Sequence, residues 1–260
     1  MIIKFTPSDI LYIRELRNQY FNELSELQEY YIEQQINKAA VYNIVLDEKG
    51  IGYFILGNDH ALLEYYLIET SHNYYDKVFE EILTQFSVNS VLCKSFDKQL
   101  SAVCSNSKLE YVNEGLLFRK FSGLKKEDSS ITVRNAVESD IYDVEEMTEG
   151  IFEDRLEIER YIMSDQLKVF RKHDITAGVG IITKIFPGKK YYDIGMAVRK
   201  DYRNRKIGTY IINYLYFYLY ELGFKPLVSC DYNNIYSIKA IKKAGFIQTD
   251  EIIRYINRKS

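Results

Sequence analysis

Apolar and polar residues recur along this chain with the two periods that distinguish helices from strands. In the second half they predict strands at 131–135, 167–172, 176–186, 190–198, 226–231, 246–249 and 251–257, and helices at 140–149, 153–163, 207–222 and 235–244. In the first half they predict strands near 2–5, 40–46, 50–56, 61–68, 90–94 and 115–120, and helices near 8–20, 22–35, 76–86 and 98–106. Alternating elements of this kind indicate an α/β fold, with a mixed central sheet flanked by helices.

The two halves also share short sequence matches. Ser8-Asp9-Ile10 matches Ser139-Asp140-Ile141, and both follow a predicted strand and open a predicted helix. Residues 108–112 resemble residues 243–247, and the spacing along the chain is nearly the same as for the first match. These matches predict an internal duplication, although strand-cap-helix beginnings are common enough for chance to be the alternative.

Residues 122–130, Ser-Gly-Leu-Lys-Lys-Glu-Asp-Ser-Ser, lack periodicity and are rich in polar residues. Such a composition is typical of a linker or an exposed connection. The sequence therefore predicts a first domain at 1–121 and a second at 131–260.

The chain has 260 residues, 47% hydrophobic and 27% charged, and a formal net charge of −3. This composition excludes a disordered or fibrous protein, and no stretch approaches the ~18 apolar residues of a membrane span. The first residues lack a signal-peptide pattern, and three cysteines without a CxxC pair indicate a reducing compartment. A nucleic-acid binder would usually be markedly basic. We therefore expect a cytoplasmic protein with neither a membrane nor a nucleic acid as partner.

Positive charge is concentrated in the second half, at residues 199–206 between a predicted strand and a predicted helix. The N–H groups at the start of a helix attract anions, and Gly208 allows a ligand to approach the backbone closely. Arg203, Arg205 and Lys206 add the charged donors that suit phosphates. The pattern predicts an anion-binding loop, and a solvated basic loop is the alternative.

Val198, Arg203 and Gly208, together with the later stretch from Asn234 to Phe246, resemble two motifs of the GNAT N-acetyltransferases. The first three residues fit the family's pyrophosphate loop, in which Val and a short spacer precede Arg-x-x-Gly-x-Gly/Ala. The stretch from Asn234 to Phe246 fits the family's second motif, Asn-x-x-Ala/Ser followed by Tyr-x-Lys-x-Gly-Phe, except that Ile241 stands at the tyrosine position. The resemblance covers 131–258 and implies a tandem GNAT-like acyl-CoA N-acyltransferase fold.

The resemblance implies an enzyme that transfers an acetyl group from acetyl-CoA to a primary amine of a small molecule or peptide. In this family the amine attacks directly in a ternary complex, and the pantetheine arm lies between two splayed strands. The implied cofactor-binding residues are Met196, Ala197, Val198, Arg203, Asn204, Arg205, Lys206, Ile207, Gly208, Thr209, Asn234 and Ser237.

The sequence also offers candidates for the catalytic groups. Asp193 is the candidate base, and the alternative is that it faces solvent or pairs with Lys190. Ile241 stands where many family members carry a proton-donating tyrosine, so Tyr236 is the candidate acid, with Tyr232 or solvent as alternatives. Lys206 replaces the family's first loop glycine, and we expect binding to survive this change because the lysine charge suits phosphate.

Residues 138–159 hold ten acidic side chains and one basic residue, Arg155. An acidic rim of this kind suits a cationic amine acceptor, and a solvated helix face is the alternative. His60, His72 and His173 show no metal-ligand spacing, so no metal site is expected. We expect a monomer or a homodimer.

The first half lacks the chemistry of the second. Its counterpart of the cationic loop, residues 67–76, has neither glycine nor arginine and contains Glu69 and Asp76. We interpret 1–121 as a degenerate GNAT-like domain without a cofactor loop, and an unrelated α/β domain is the alternative. For the whole chain, the alternatives to an acetyltransferase are a non-catalytic acyl-CoA-binding or sensing module and an aminoacyl-tRNA-dependent transferase.

Overall fold

The computed structural model describes residues 2–148 and 150–258. Glu149 of the acidic segment, and residues 259 and 260 of the predicted second domain, lie outside the described residues. The chain forms two compact units, the first comprising Met1–Leu116 with Asp250–Ser260 and the second comprising Leu117–Thr249. These units are groups of residues that contact one another in space, and they do not test a linker at 122–130. That division stays a sequence-based prediction.

The first unit contains a mixed sheet and four helices among its described residues. Its elements are β1 (Ile3–Ser8), α1 (Arg14–Glu23), α2 (Tyr30–Ile36), β2 (Ala40–Leu46), β3 (Lys49–Leu56), β4 (Ala61–Leu67), α3 (Tyr75–Gln85), β5 (Ser90–Lys94), α4 (Lys98–Asn106) and the first part of β6 (Glu110–Phe121). Strands β1 to β4 form an antiparallel series, and β5 adds to β4 in parallel.

The second unit repeats this order of elements. After the end of β6 come β7 (Ile131–Asn135), α5 (Ile141–Met147), α6 (Arg155–Met163), β8 (Leu167–Lys172), β9 (Ile175–Lys184), β10 (Tyr191–Val198), α7 (Ile207–Glu221), β11 (Lys225–Asp231), α8 (Ile235–Ala244) and β12 (Phe246–Ile256). Strands β7 to β10 are antiparallel, and β11 joins β10 in parallel. The predicted α/β class, with mixed sheets flanked by helices, is confirmed.

The last strand runs on into the first unit. Residues 252–256 of β12 pair antiparallel with β5, from Ile252 opposite Lys94 to Ile256 opposite Ser90. The C-terminal residues thereby complete the sheet of the first unit.

Helices cover both faces of the sheet in the second unit. On one face, Val144 of α5 and Ile158 of α6 pack on Val179 and Ala197 in a buried apolar cluster. On the other face α7 lies against β9 and β10, and Gly178 leaves room there for the side chain of Ile211. Apolar burial on both faces fixes the position of β10, the strand that carries the candidate site. Among the described helices, none is long and apolar enough to cross a membrane.

The first helix begins later than the sequence pattern predicts. The prediction of a helix from Ser8 is wrong, because β1 continues through Pro7 and Ser8, which pair with Tyr42 and Val41 of β2. Pro7 is tolerated there because β1 is an edge strand. The second predicted helix, 22–35, is also shorter and runs from Tyr30 to Ile36.

Candidate functional site

The parallel pairing of β10 with β11 stops halfway along β10. Pairing extends only from Tyr191 opposite Lys225 to Asp193 opposite Leu227. On its other edge β10 stays paired with β9 as far as Val198. The strands therefore separate after Asp193 and leave an edge of β10 that β11 does not cover.

Alternation along β10 decides which backbone groups face this open edge. The N–H of Arg199 donates to the carbonyl of Ala177 on the β9 side, at 3.1 Å. In an antiparallel pair every second residue points the same way, so Ala197 also directs its N–H and C=O toward β9. Met196 and Val198 direct theirs to the open edge. Among the predicted cofactor contacts at Met196, Ala197 and Val198, the geometry thus favours Met196 and Val198.

The loop after β10 turns sharply into α7. Asn204 and Lys206 both have positive φ, at 61° and 66°. Lys206 is the residue that precedes α7, and its side chain makes no capping hydrogen bond. Helix geometry leaves the N–H groups of Ile207, Gly208 and Thr209 without acceptors within the helix. The loop thus presents several backbone donors at the positive end of the α7 dipole.

Gly208 brings the first turn of α7 close to β10. A Cβ at this position would lie 2.8 Å from the Sδ of Met196 and 3.5 Å from a methyl group of Val198. The glycine therefore allows the start of the helix to sit directly over the end of β10. The N–H groups of α7 and the open edge of β10 consequently belong to one site.

The five cationic side chains of residues 199–206 have different partners. Arg199 turns away and forms ion pairs with Asp143 at 2.5 Å and Glu146 at 3.3 Å on α5. Arg203 donates to the carbonyl of Val198 at 3.2 Å, and Arg205 lies over the ring of Tyr202. The exposed Lys200, Arg203, Arg205 and Lys206 are left around the start of α7.

Ion pairs with arginines neutralise part of the negative charge of residues 138–159. Arg199 pairs with Asp143 and Glu146, and Arg134 forms two hydrogen bonds with the carboxylate of Asp140. Exposed carboxylates such as those of Glu138 and Glu145 still line this part of the chain. The segment is therefore less negative than its sequence suggests.

The left-handed backbone at Lys206 leads to a stability prediction. Only glycine adopts this conformation without steric cost, so Lys206→Gly should raise the free energy of unfolding by about 0.5–1 kcal/mol. Lys206→Ala loses the same charge but keeps the steric cost, so it should be less stable than Lys206→Gly. Urea denaturation followed by circular dichroism measures both. Equal stabilisation by the two variants would contradict this explanation.

Asp193 lies at the point where the two strands separate. It is half-buried, and its partner on β9 is Thr183, whose hydroxyl donates to the hydroxyl of Tyr161 at 3.2 Å. Cross-strand partners share a face of the sheet, so these polar groups lie together on the side covered by α6. Thr183 and Tyr161 were not predicted, because only strand register brings them near Asp193.

The start of α8 carries the second motif. The side chain of Asn234 caps the helix by accepting from the N–H of Ser237 at 3.0 Å. These two residues therefore have a structural role whether or not a ligand is bound. Tyr236 in the same turn is 77% exposed, whereas Ile241 is buried at 2% exposure.

Cys230 lies near the end of β11. Burial, together with Asp231, raises the pKa of Cys230 to about 11, so this thiol is a poor nucleophile near neutral pH. The described residues contain no group of three or more His, Cys, Asp or Glu side chains placed to hold a metal ion.

In the first unit, side chains occupy the corresponding strand edge. Strands β4 and β5 pair only at Ala61 and Leu62 and then separate. Beyond this point the hydroxyl of Tyr75 donates to the carbonyl of Tyr65 at 3.1 Å, and the ring of His72 hydrogen-bonds the carbonyl of Leu67 at 2.8 Å. These contacts close part of the edge that stays open in the second unit.

Comparisons with known protein families match both halves of the chain. Residues 10–121 match a family model described as an acetyltransferase (GNAT) domain. Residues 137–246 match the acetyltransferase (GNAT) family. None of the curated protein sequences matches the chain significantly.

Solved structures share the complete fold at low sequence identity. A GNAT-family acetyltransferase from Colwellia psychrerythraea is 16% identical with a TM-score of 0.87, and the match covers 99% of this chain and 100% of that one. A tandem GNAT protein from the clavulanic acid biosynthesis pathway is 10% identical with a TM-score of 0.60, and the match covers 98% of each chain. An N-acetyltransferase from Sphaerobacter thermophilus is 12% identical with a TM-score of 0.63, covering 98% of this chain and 95% of that one.

Proposed function

Because this chain belongs to the GNAT acetyltransferase superfamily, with one GNAT domain in each half, we propose that its second unit is an acetyl-CoA-dependent N-acetyltransferase. The acceptor is a primary amine of a small molecule or peptide. The exposed carboxylates of Glu138 and Glu145 favour an acceptor that carries further positive charge.

The observation that carries this proposal is the combination of an open strand edge with an uncapped helix start. The edge at Met196 and Val198 offers hydrogen bonds to an extended chain containing amides, in the manner of an added strand. The N–H groups of Ile207, Gly208 and Thr209, with the neighbouring cations, suit a pyrophosphate. Pantetheine and pyrophosphate are joined in acetyl-CoA in this same order.

The remaining predicted residues contribute to the same site. Arg203, Asn204, Arg205 and Lys206 form the loop over the phosphates, and Asn204 and Lys206 give it its turn. Asn234 and Ser237 fix the first turn of α8, which follows β11 at the far side of the opening. Acetyl-CoA supplies an activated acyl group in the form of a thioester.

In the proposed transfer, Asp193 is the base that removes a proton from the amine. The neutral amine forms a bond to the acyl carbon, the C–S bond breaks, and the amine proton passes to the Asp193 carboxylate or to a water that it holds. The open-edge N–H of Met196 is the candidate donor to the oxygen that becomes negatively charged. The leaving thiolate takes a proton from Tyr236 or from solvent, since a thiol with an ordinary pKa of about 8.5 leaves readily.

A second candidate function, an acyl-CoA-binding module without catalysis, is favoured by one observation. Ile241 fills the position of the family's tyrosine and is buried, while Tyr236 is largely exposed. Ile241 therefore offers no proton to a leaving thiolate at that position. A binding module would keep affinity for acetyl-CoA and transfer nothing.

Release of free thiol from acetyl-CoA distinguishes these two functions. The unaltered protein is incubated with acetyl-CoA and a panel of primary amines that includes polyamines, amino sugars and basic peptides. We expect release with at least one cationic amine, and mass spectrometry should show the acetylated product. Tight binding of acetyl-CoA without transfer to any amine class would favour the binding module.

Asp193→Asn tests the assignment of the base. With the best amine of that panel, kcat should fall about 100-fold, which is typical for the loss of a general base. The Kd for acetyl-CoA should stay within about threefold, because the carboxylate contacts the amine and not the cofactor. Asp174→Asn, in the turn between β8 and β9, is the matched control and should keep full activity. An unchanged kcat in Asp193→Asn would remove Asp193 from the mechanism.

A further inference from the structure

The first unit contains a cavity of about 270 Å³ that the acetyl transfer does not use. It lies where β4 and β5 separate, because Tyr65 of β4 lines it together with Phe96 and Asp97, which follow β5. Tyr20 and Glu23 of α1 and Tyr75 of α3 also line the cavity. A volume of this size holds a molecule of on the order of ten non-hydrogen atoms, since one water occupies about 30 Å³ of liquid.

Rigid aromatic rings form much of the wall. Tyr65 and Tyr75 lie with ring centroids 4.3 Å apart, and the hydroxyl of each donates to the main-chain carbonyl of the other, at 2.8 and 3.1 Å. The hydroxyl of Tyr20 donates to Asp97 at 2.7 Å. Because their hydroxyls are already engaged, these residues present ring surface to a ligand. Ring faces attract cations.

Two carboxylates stand beside these rings. Asp97 is 2% exposed and also caps α4 by accepting from the N–H of Leu100 at 3.1 Å. Burial raises the pKa of Asp97 above its ordinary value despite the neighbouring Lys94. Glu23 is exposed and accepts from the hydroxyl of Tyr66 at 2.6 Å. A cation in the cavity would stabilise the charge on both carboxylates.

A buried network behind the cavity contains more carboxylates than cationic side chains. Arg17 bridges Glu33 and Glu64, and Lys94 donates to Gln28, which in turn donates to Glu64. Lys94 lies 5.4 Å from the centre of the Tyr20 ring, which connects the network to Asp97. Among the described side chains of this network, the carboxylates of Glu33, Glu64 and Asp97 outnumber the cations of Arg17 and Lys94 by one. In a low-dielectric interior, this excess favours the entry of a cation.

We propose that this cavity binds a small organic ammonium ion. The aromatic rings and the two carboxylates provide the chemistry that recognises such a cation, and Lys98, the cation in the wall, is exposed. The proposal is independent of acetyl transfer, because the loop after β4 carries Glu69 and Asp76 in place of a phosphate-binding motif. The first unit then serves as a binding site for an amine or a quaternary ammonium compound.

A tryptophan reporter tests the proposal with choline as the probe. The chain contains no tryptophan, so Leu24→Trp places a single reporter in the cavity wall. Choline should change its fluorescence saturably, whereas the uncharged analogue 3,3-dimethylbutan-1-ol should bind at least tenfold more weakly. Leu11→Trp, an exposed position outside the wall, is the matched reporter control and should not respond. Calorimetry of the unaltered protein with choline repeats the measurement without a reporter.

Substitutions locate the site. Asp97→Asn keeps the helix cap but removes the charge, and it should weaken choline binding at least tenfold. Glu23→Gln should weaken it several-fold, whereas Glu15→Gln on the exposed side of the same helix should not. Gly208→Glu, at the acetyl-CoA site, should leave choline binding intact. Equal affinity for the uncharged alcohol, no saturable binding, or unchanged binding in both Asp97→Asn and Glu23→Gln would overturn the proposal.

Discussion

Gly208→Glu should bind acetyl-CoA at least about 100-fold more weakly than the unaltered protein. The new carboxylate stands in the first turn of α7, among the N–H groups of Ile207 and Thr209 that are proposed to hold the pyrophosphate. A like charge at about 5 Å, with an effective dielectric constant of about 20, costs ~3 kcal/mol, which corresponds to about 100-fold in Kd. Isothermal titration calorimetry with acetyl-CoA measures the loss.

Gly208→Gln is the matched control for this experiment. Both side chains displace Met196 to the same extent, since the first atom of either would lie 2.8 Å from its Sδ. The difference between the two variants therefore isolates charge. The glutamate variant should also be at least as stable as the glutamine variant, because a carboxylate suits the start of a helix. Equal Kd values for the two variants would show that no phosphate binds at this helix start.

Arg17→Met should destabilise the first unit by about 3–5 kcal/mol, the cost typical of removing one partner from a buried ion pair. Arg17 makes four hydrogen bonds to Glu33 and Glu64, at 2.6 to 3.0 Å, and without it these buried carboxylates lose their main cation. Urea denaturation followed by circular dichroism measures the change. Arg155→Met removes an exposed pair with Glu159 and should cost less than about 0.5 kcal/mol.

The pH dependence of this variant has a definite sign. Burial alone would raise the pKa of Glu64, and Arg17, together with Lys94 and Gln28, outweighs burial and holds the pKa below its ordinary value. Without Arg17 the folded-state pKa should rise above the unfolded value of about 4.3. The variant then takes up a proton on folding, so its stability falls as pH rises from 5 to 8. The loss in free energy of unfolding, relative to the unaltered protein, should be smaller at pH 5 than at pH 8. A loss that does not depend on pH would contradict the buried-carboxylate explanation.

Local sequence patterns predicted much of the second unit. The strand at 131–135 and the helix at 235–244 agree with the structure, because their periodicity and capping residues lie within the element itself. The structure also explains why the family has a glycine at the position of Lys206, since the backbone there has a positive φ. Motifs of this kind can be recognised because a few adjacent residues determine the backbone of the loop.

Other features depend on pairing between distant residues. No local pattern indicates that Ile252 pairs with Lys94, or that Arg199 leaves the cationic loop to meet Asp143. The buried network around Glu64 likewise draws on α1, α2, β4 and β5, and each of its charged residues looks like an ordinary surface residue in the sequence. The helix predicted from Ser8 failed for the same reason, because pairing of β1 with β2 outweighed a local capping signal.

A crystal structure of the complex with acetyl-CoA tests the central claim most directly. The pyrophosphate oxygens should lie about 3 Å from the N–H groups of Gly208 and Thr209, and the pantetheine arm should hydrogen-bond the edge of β10 at Met196 or Val198. The thioester should then lie on the side of Asp193. Acetyl-CoA bound between β4 and β5 of the first unit, with the start of α7 left free, would contradict the assignment of the second unit as the acetyl-CoA site.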